Sequence, residues 1–451
     1  MRPYLLALHL SHFKTFHDEV LGLWPMTVLI GRNSSGKSNA LDGVEVLSRL
    51  ATGADIVDAL DSRRGDEGPL RGGLESCPPH GSDYFKLGCR VIAPESMDTE
   101  EYALIDLDVT VRVRPDPEII HESLRGYSGK HRATKDPETR TFHNLLSTHE
   151  PTPGLGSIDA TWHRGSRGRG PRGSFRSTRL LTAQIPLRVP GETRVEQHVI
   201  KAAETVLEVL RRVFHLDPVP HLMRQYVPGR DVRLRRTAEN LSAVIGQMAT
   251  DDPERFGQLL RLVQDLVEHQ VTGLDIIRSE LNDVMLALDE GNAKTPAREM
   301  SDGLLRFIAI ATALLRKGRD LDVGGREATD TKHPVTVVIE ELENGLHPSQ
   351  ANKLLGLVKN YCNDDGARAL FSTHSPALLS ALSPADHGGV VVCSRDPESG
   401  RSRLQRLPEI AGYPSLMARG KLGEIVASGL LSESFESERD FSDFDRLMGL
   451  E

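Results

Sequence analysis

The spacing of apolar residues changes several times along this chain, and each change marks an element. Residues 4 to 13 alternate loosely and lead into Phe13-Lys14-Thr15-Phe16, which predicts a first strand and a turn. Met26-Thr27-Val28-Leu29-Ile30 is a short apolar run stopped by glycine, the pattern of a strand buried on both faces of a parallel sheet. A loop rich in Gly and Ser follows, and Ser38 to Leu50 reads as an amphipathic helix. Strand, loop and helix in that order open a parallel α/β sheet. More strands are expected near Tyr84 to Ile92 and Tyr102 to Val113, with residues 51–80 as loop between. Residues 114–180, dense in Gly, Pro, Ser, Thr, Arg and His, read as irregular.

From about 194 to 290 apolar positions recur at three- and four-residue spacing, as in Val206, Leu207, Val209, Leu210 and Val213, which predicts helices. A second helical block covers Arg255 to His269. Strand-like sequence returns at Pro334 to Ile339 and Arg368 to Ser372, followed by a hairpin from Gly389 to Cys393 and Arg401 to Leu407. The two ends of the chain are thus expected to share one sheet. The division is an N-terminal lobe 1–113, an irregular Arg/Gly-rich insertion 114–193, a helical insertion 194–294, a C-terminal lobe 295–400 and a tail 401–451.

Length and composition narrow the class without naming a chemistry. The chain has 451 residues, 38% of them hydrophobic and 5% aromatic, enough for a large core. No run approaches the roughly 18 apolar residues that span a bilayer, and Met1-Arg2-Pro3-Tyr4-Leu5-Leu6 lacks a signal-peptide pattern, so a cytoplasmic protein with no membrane partner is expected. Cys77, Cys89, Cys362 and Cys393 have neither disulfide-framework nor zinc spacing. A net charge of -9 restricts any DNA or RNA contact to a local patch. One candidate is the glycine-spaced cluster Arg164, Arg167, Arg169 and Arg172, continuing to Arg176 and Arg179. It reads equally as a nucleic-acid or acidic-partner loop and as a solvated surface loop.

Gly31-Arg32-Asn33-Ser34-Ser35-Gly36-Lys37-Ser38 matches G-x-x-x-x-G-K-[ST] between the expected strand and helix. Its glycines let backbone N–H groups turn toward phosphate oxygens, and the helix N-terminus adds positive potential. Asn33, Ser34, Ser35, Gly36, Lys37, Ser38 and Asn39 are therefore candidate nucleotide-binding residues, with Lys37 on the β/γ-phosphates and the Ser38 hydroxyl on Mg²⁺. Val335 to Ile339 is a buried strand ending in Glu340-Glu341. Beside a phosphate loop, Glu340 suits the metal side and Glu341 the polarisation of an attacking water.

Three further segments carry a family resemblance. Ser301-Asp302-Gly303-Leu304-Leu305-Arg306 looks like the signature motif of ABC-type ATPases, and Glu341 to Pro348 looks like a Walker B end with its D-loop. Ser372-Thr373-His374-Ser375-Pro376 looks like the strand end that bears the switch histidine. In this order the motifs resemble the SMC/RecF-like branch of ABC ATPases, and more closely the OLD-type and abortive-infection-type AAA ATPases of bacteria. Leu342 replaces the proline of the family's E-E-P-E, and the resemblance covers residues 1 to about 50 and about 295 to 400.

The resemblance implies a P-loop ABC/SMC-type ATPase head of α/β class, with a mixed sheet and a helical insertion. It implies ATP and Mg²⁺ as ligands, with Ser301 and Gly303 of one protomer capping the γ-phosphate held by another and His374 sensing that phosphate. A homodimer or higher homo-oligomer closed by ATP is expected. Too little sequence follows His374 for the TOPRIM nuclease domain of OLD-type proteins, so a separate nuclease or toxin effector is expected. Two functions stay open: a switch subunit of an anti-phage defence system, and a RecF-like DNA-repair clamp. A transporter subunit is disfavoured by Asn33-Ser34-Ser35 and by the long interval before the signature-like motif.

Overall fold

A computed structural model describes residues 2–61, 68–93, 102–128, 142–151, 156–165, 170–267, 269–316, 321–323, 335–347, 350–363 and 366–431. The first strands are β1 (Tyr4–Phe13), β2 (Phe16–Gly22) and β3 (Met26–Ile30). They are followed by β4 (Tyr84–Ile92), β5 (Tyr102–Arg112), β6 (Glu118–Ser128), β7 (Phe142–Thr148), β8 (Ser157–Trp162) and β9 (Arg172–Arg176). Then come β10 (Val213–Leu216), β11 (Val227–Pro228), β12 (Gly273–Arg278), β13 (Asp283–Asp289) and β14 (Lys294–Pro296). The last are β15 (Thr336–Ile339), β16 (Arg368–Ser372), β17 (Val390–Arg395) and β18 (Ser402–Arg406).

The helices begin with α1 (Lys37–Ala51), α2 (Ile56–Leu60), α3 (Ile185–Arg188), α4 (Arg194–Arg211), α5 (Pro220–Met223) and α6 (Leu241–Asp251). They continue with α7 (Pro253–Leu266), α8 (Asp302–Leu315), α9 (Ala351–Cys362), α10 (Pro376–Ser380), α11 (Tyr413–Met417) and α12 (Leu422–Ala427).

Among the described residues, fourteen strands form one mixed sheet in the order β10-β15-β16-β3-β17-β18-β2-β1-β4-β5-β6-β7-β8-β9. The run from β10 to β17 is parallel, and β1 with β4 to β9 forms an antiparallel extension. The parallel strands are apolar on both sides because each separates two cores. Met26, Val28 and Ile30 face one core, as do Val337, Ile339, Ala369, Phe371, Val390 and Val392. Leu29, Val338, Leu370 and Val391 alternate into the other. Helices α1 and α4 cover this second side, while α6, α8 and α9 cover the first. The start of α4 is set by a capping box in which Thr193 and Glu196 satisfy each other's backbone N–H. A smaller sheet, β11-β13-β12 with β14 on β13, joins the first core.

Three expectations need correction, the briefest being residues 51–80, which are not all loop because they hold α2. The stretch 114–180 is not irregular: it carries β6 to β9. Its strands present polar residues outward, such as His121 and Arg125, and β6 also turns the buried Glu122 inward, so the alternation that marks a strand is diluted. Glu122 accepts hydrogen bonds from the N–H groups of Leu181 and Thr182 and from the Thr182 hydroxyl, which explains an inward carboxylate. The stretch 194–290 is not wholly helical either. It holds α4, α6 and α7, but β10 pairs in parallel with β15, and β12 and β13 form a hairpin. Among the described residues, no helix is long and apolar enough to cross a membrane.

A buried ionic cluster joins the loop beyond β10 to α1. Glu45 on α1 accepts from Arg49 at 2.5 Å and from Arg236, and His215 Nδ1 lies 3.8 Å away. Burial pushes His215 down to about 4. Burial would raise Glu45, but the neighbouring His215, Arg236 and Arg49 outweigh it and hold the carboxyl at about 2. With His215 neutral above about 4, the two arginines carry that stabilisation at neutral pH. An unfolded histidine takes a proton near its ordinary 6.5 whereas the folded one does not, so stability falls as pH drops from there toward about 4. Urea unfolding is expected to show a loss of up to about 3 kcal/mol across that window, at 1.36 kcal/mol per pKa unit. His215→Gln should flatten the window; an unchanged pH dependence in that variant would contradict the assignment.

Candidate nucleotide site

The site is built where parallel strands stop. Register aligns Ser372 with Leu29 and Ile339 with Phe371, so β15, β16 and β3 end at one edge of the sheet. Such an edge, at the carboxyl ends of parallel strands, is where α/β proteins place ligands. Leaving β3, the chain passes Gly31 at φ 147°, where a Cβ would lie 2.1 Å from the Cys393 carbonyl oxygen. Ser34 (φ 63°) and Gly36 (φ 112°) complete the turn, and α1 begins at Lys37.

Lys37 is buried, and its ammonium donates to the carbonyls of Gly31 (3.0 Å) and Arg32 (2.9 Å). Among the described residues no carboxylate forms an ion pair with it. Burial lowers its pKa, opposed by Cys393, Glu341, Glu340 and Glu343. The next side chain, Ser38, donates to Glu340 Oε1 at the end of β15. Asn39 donates to Thr15 Oγ1 at 3.0 Å and ties α1 to the turn between β1 and β2. Ser35 Oγ is buried with no hydrogen-bond partner among the described residues.

Glu341 follows with φ 50°, a left-handed conformation uncommon outside glycine. Its N–H donates to Ser372 Oγ at 3.0 Å, which holds the strained turn against β16. Leu342 then donates its N–H to the Ser372 carbonyl at 3.1 Å, a bond no proline could make, and buries its side chain completely. Leucine in place of the proline expected from the resemblance thus adds a hydrogen bond and core contact. His374 donates its N–H to Glu343 Oε1 at 2.7 Å. Burial and Lys37 push the imidazole below its ordinary pKa, against the pull of Glu341, Glu343 and Glu340, so it is neutral at pH 7.

These groups surround one cleft of about 440 Å³, lined by residues 33–39 with Arg71, Glu340, Glu341, Ser372, His374 and Arg395. The structure therefore gathers Asn33, Ser34, Ser35, Gly36, Lys37, Ser38, Asn39, Glu340, Glu341 and His374 from distant parts of the chain. It adds Arg71, Ser372 and Arg395 to the sequence-based set. Ser372 stood inside a recognised segment, but Arg71 lies in a stretch that reads only as loop. It contacts Glu340 at 3.5 Å and Asp42 at 2.7 Å, and Asp42 in turn pairs with Lys14 at 2.6 Å. A second cavity of about 500 Å³ shares Asn39 and Arg71 with the cleft and reaches Lys14 and Thr15.

Ser301 and Gly303 are not in the lining. Ser301 caps α8 by accepting from Leu304 N–H at 3.3 Å and is exposed. Gly303 lies against the backbone of Gly345, where a Cβ would sit 1.9 Å from the Gly345 carbonyl oxygen. Of the basic cluster, Arg164 is exposed and Arg172 pairs with Asp159 at 2.7 Å, while Arg167 and Arg169 fall outside the described residues. Among the described residues, no group of three or more His, Cys, Asp or Glu side chains is arranged to hold a metal.

Sheet and loop define a mixed α/β protein with a glycine-rich loop and a polar cleft at the carboxyl ends of its parallel strands. Residues 26–380 match the family described as "AAA domain, putative AbiEii toxin, Type IV TA system", and the chain belongs to that family. Over 48 residues it is 44% identical to the DNA replication and repair protein RecF of Synechococcus sp. (strain JA-2-3B'a(2-13)) and to that of Nostoc sp. (strain PCC 7120 / SAG 25.82 / UTEX 2576). That stretch is 10% of this chain and 13% of the RecF chains' length. The SMC head solved bound to the C-winged helix domain of ScpA is similar at TM-score 0.44 and 11% identity, covering 89% of this chain and 97% of that one. The SMC head domain from Thermotoga maritima is similar at TM-score 0.40 and 12% identity, covering 90% and 99%.

The Gly303–Gly345 contact lies within one chain and needs no nucleotide. Gly303→Ala should therefore cost roughly 1–3 kcal/mol of stability, the usual range for overpacking, in urea unfolding without ATP. An unchanged midpoint would show that the contact yields without strain.

Proposed function

We propose that this protein hydrolyses ATP and acts as a nucleotide-dependent dimerisation switch. One observation carries the reading: the phosphate-type loop, two strand-end glutamates and a neutral histidine line the same cleft. The buried Lys37 ammonium, with no carboxylate paired to it among the described residues, suits the β/γ-phosphates. The unpartnered Ser35 Oγ suits a phosphate oxygen in the same loop. The adjoining cavity beside Thr15 and Asn39 offers room for the nucleoside end.

The hydroxyl of Ser38 and the carboxylate of Glu340 already meet, which is a donor set for a hard cation such as Mg²⁺. That ion would neutralise charge on the phosphate oxygens. Glu341 is the candidate general base for the attacking water, and His374 the candidate sensor of the γ-phosphate. Ser301 and Gly303 stand away from their own cleft at the start of α8, a helix N-terminus suited to an anion. In this reading they complete the cleft of a second copy.

The family description, with its toxin and type IV toxin–antitoxin terms, supports a switch subunit in bacterial anti-phage defence with a separate nuclease or toxin effector. The local likeness to RecF supports a second reading, an ATPase that clamps DNA in repair without an effector. Arg164, Arg167, Arg169 and Arg172 are the proposed nucleic-acid contact in either case, though Arg172 would have to exchange its Asp159 partner for phosphate.

Glu341→Gln should lower ATP turnover by about 100-fold or more while leaving nucleotide bound, as expected for loss of a general base. Lys37→Ala should abolish nucleotide binding in equilibrium titration with a fluorescent ATP analogue. A Glu341→Gln protein that turns over ATP at the wild-type rate would remove the base assignment. Expression with the genomic neighbours, followed by purification and mass determination, separates the two biological readings. An effector chain that co-purifies supports the defence switch, and an ATP-dependent homodimer that binds DNA alone supports the repair clamp.

A further inference from the structure

The turn after β15 does more than present Glu341. The Asn344 N–H returns to the Glu341 carbonyl at 2.8 Å, closing a tight turn. That turn brings Glu343 over the end of the neighbouring strand β16, where its Oε1 accepts the His374 N–H at 2.7 Å. The other oxygen, Oε2, is buried with no hydrogen-bond partner among the described residues. A carboxylate half-satisfied in this way is costly, since a buried acceptor without a donor forfeits its hydration.

The one hydrogen bond this side chain makes links two segments of the candidate site. The turn and the histidine loop are joined by three hydrogen bonds. Ser372 accepts from Glu341 N–H and Leu342 N–H, and Glu343 accepts from His374 N–H. The two Ser372 bonds act before the histidine in the chain, and the Glu343 bond acts on the histidine itself. Its neighbours are held separately, Thr373 N–H by the Leu29 carbonyl at 3.1 Å and Ser375 N–H by Thr373 Oγ1 at 3.1 Å. Resting on the reading of His374 as the γ-phosphate sensor, we propose that Glu343 is a positioning residue that locks the switch histidine to the turn bearing the general base. A displacement of either group by the nucleotide is then carried to the other. Two residues further on, Gly345 lies against Gly303, so the same turn also reaches the signature-like segment.

The test is a double-variant cycle on ATP turnover by the full chain. Glu343→Ala should lower kcat at least about tenfold with KM for ATP changed less than about twofold, because misplacing a group near the reaction penalises the rate more than ground-state binding. Glu343→Gln keeps an acceptor for the N–H and should recover most of that loss. The decisive comparison is Glu343→Ala combined with His374→Ala, which should be no slower than His374→Ala alone if the glutamate acts through the histidine. Losses that multiply in the double variant, a kcat unchanged by Glu343→Ala, or a Glu343→Gln protein as slow as Glu343→Ala would each overturn the proposal. Hydrolysis by the wild-type chain with any of these results leaves the ATPase reading standing, whereas a wild-type chain without turnover overturns both.

Discussion

Parallel pairing of β15, β16 and β3 is the constraint on which the candidate site depends. Each strand is only four or five residues long, yet each is buried on both faces, so a shift of register by one residue would exchange the two cores. The register that satisfies both cores also ends the three strands together. That shared edge sets Gly31, Glu340 and Ser372 side by side although Gly31 lies hundreds of residues from the other two in the chain. No local preference could do this, and the chemistry of the cleft is therefore a by-product of core packing.

Around that edge the loops are held by unusually specific backbone demands. Gly31 and Gly36 are required where side chains would strike Cys393 and Ser402, and Glu341 takes a left-handed conformation held by the Ser372 hydroxyl. Such strain concentrates where groups must be aimed, and here it aims a carboxylate into the cleft beside a buried lysine and a neutral histidine. The antiparallel extension beyond β1 contributes Arg71 indirectly, through the segment between α1 and β4, and joins Glu340 to Asp42 on α1.

Much of this is legible in the amino-acid sequence. The run Met26 to Ile30, the glycine loop and the helix after it are strong local signals, and α1 starts and stops within one residue of the expected Ser38 to Leu50. The acidic end of β15 gains its meaning only from the phosphate loop upstream, and the histidine beyond β16 only from the family resemblance of Ser372 to Pro376. What escaped was of two kinds. Strands β6 to β9 hid because their outward faces are polar and β6 carries a hydrogen-bonded glutamate inward. Arg71 and Glu343 hid because their roles come from tertiary partners, Asp42, Glu340 and the His374 N–H, that sequence spacing does not reveal. The same limit applies to β10, whose four residues continue a helical pattern yet pair with β15.

The central claim is that one chain builds only part of the site, with Ser301 and Gly303 serving the cleft of another copy. Mixing two inactive variants tests it directly. A Lys37→Ala chain keeps a sound signature-like segment, and a Ser301→Arg chain keeps a sound phosphate loop. If the site is shared head to tail, half of the randomly formed dimers contain one intact composite site, and the equimolar mixture recovers about a quarter of wild-type ATP turnover. A mixture as inactive as its two components, when exchange of subunits is verified by mass, would contradict the shared site.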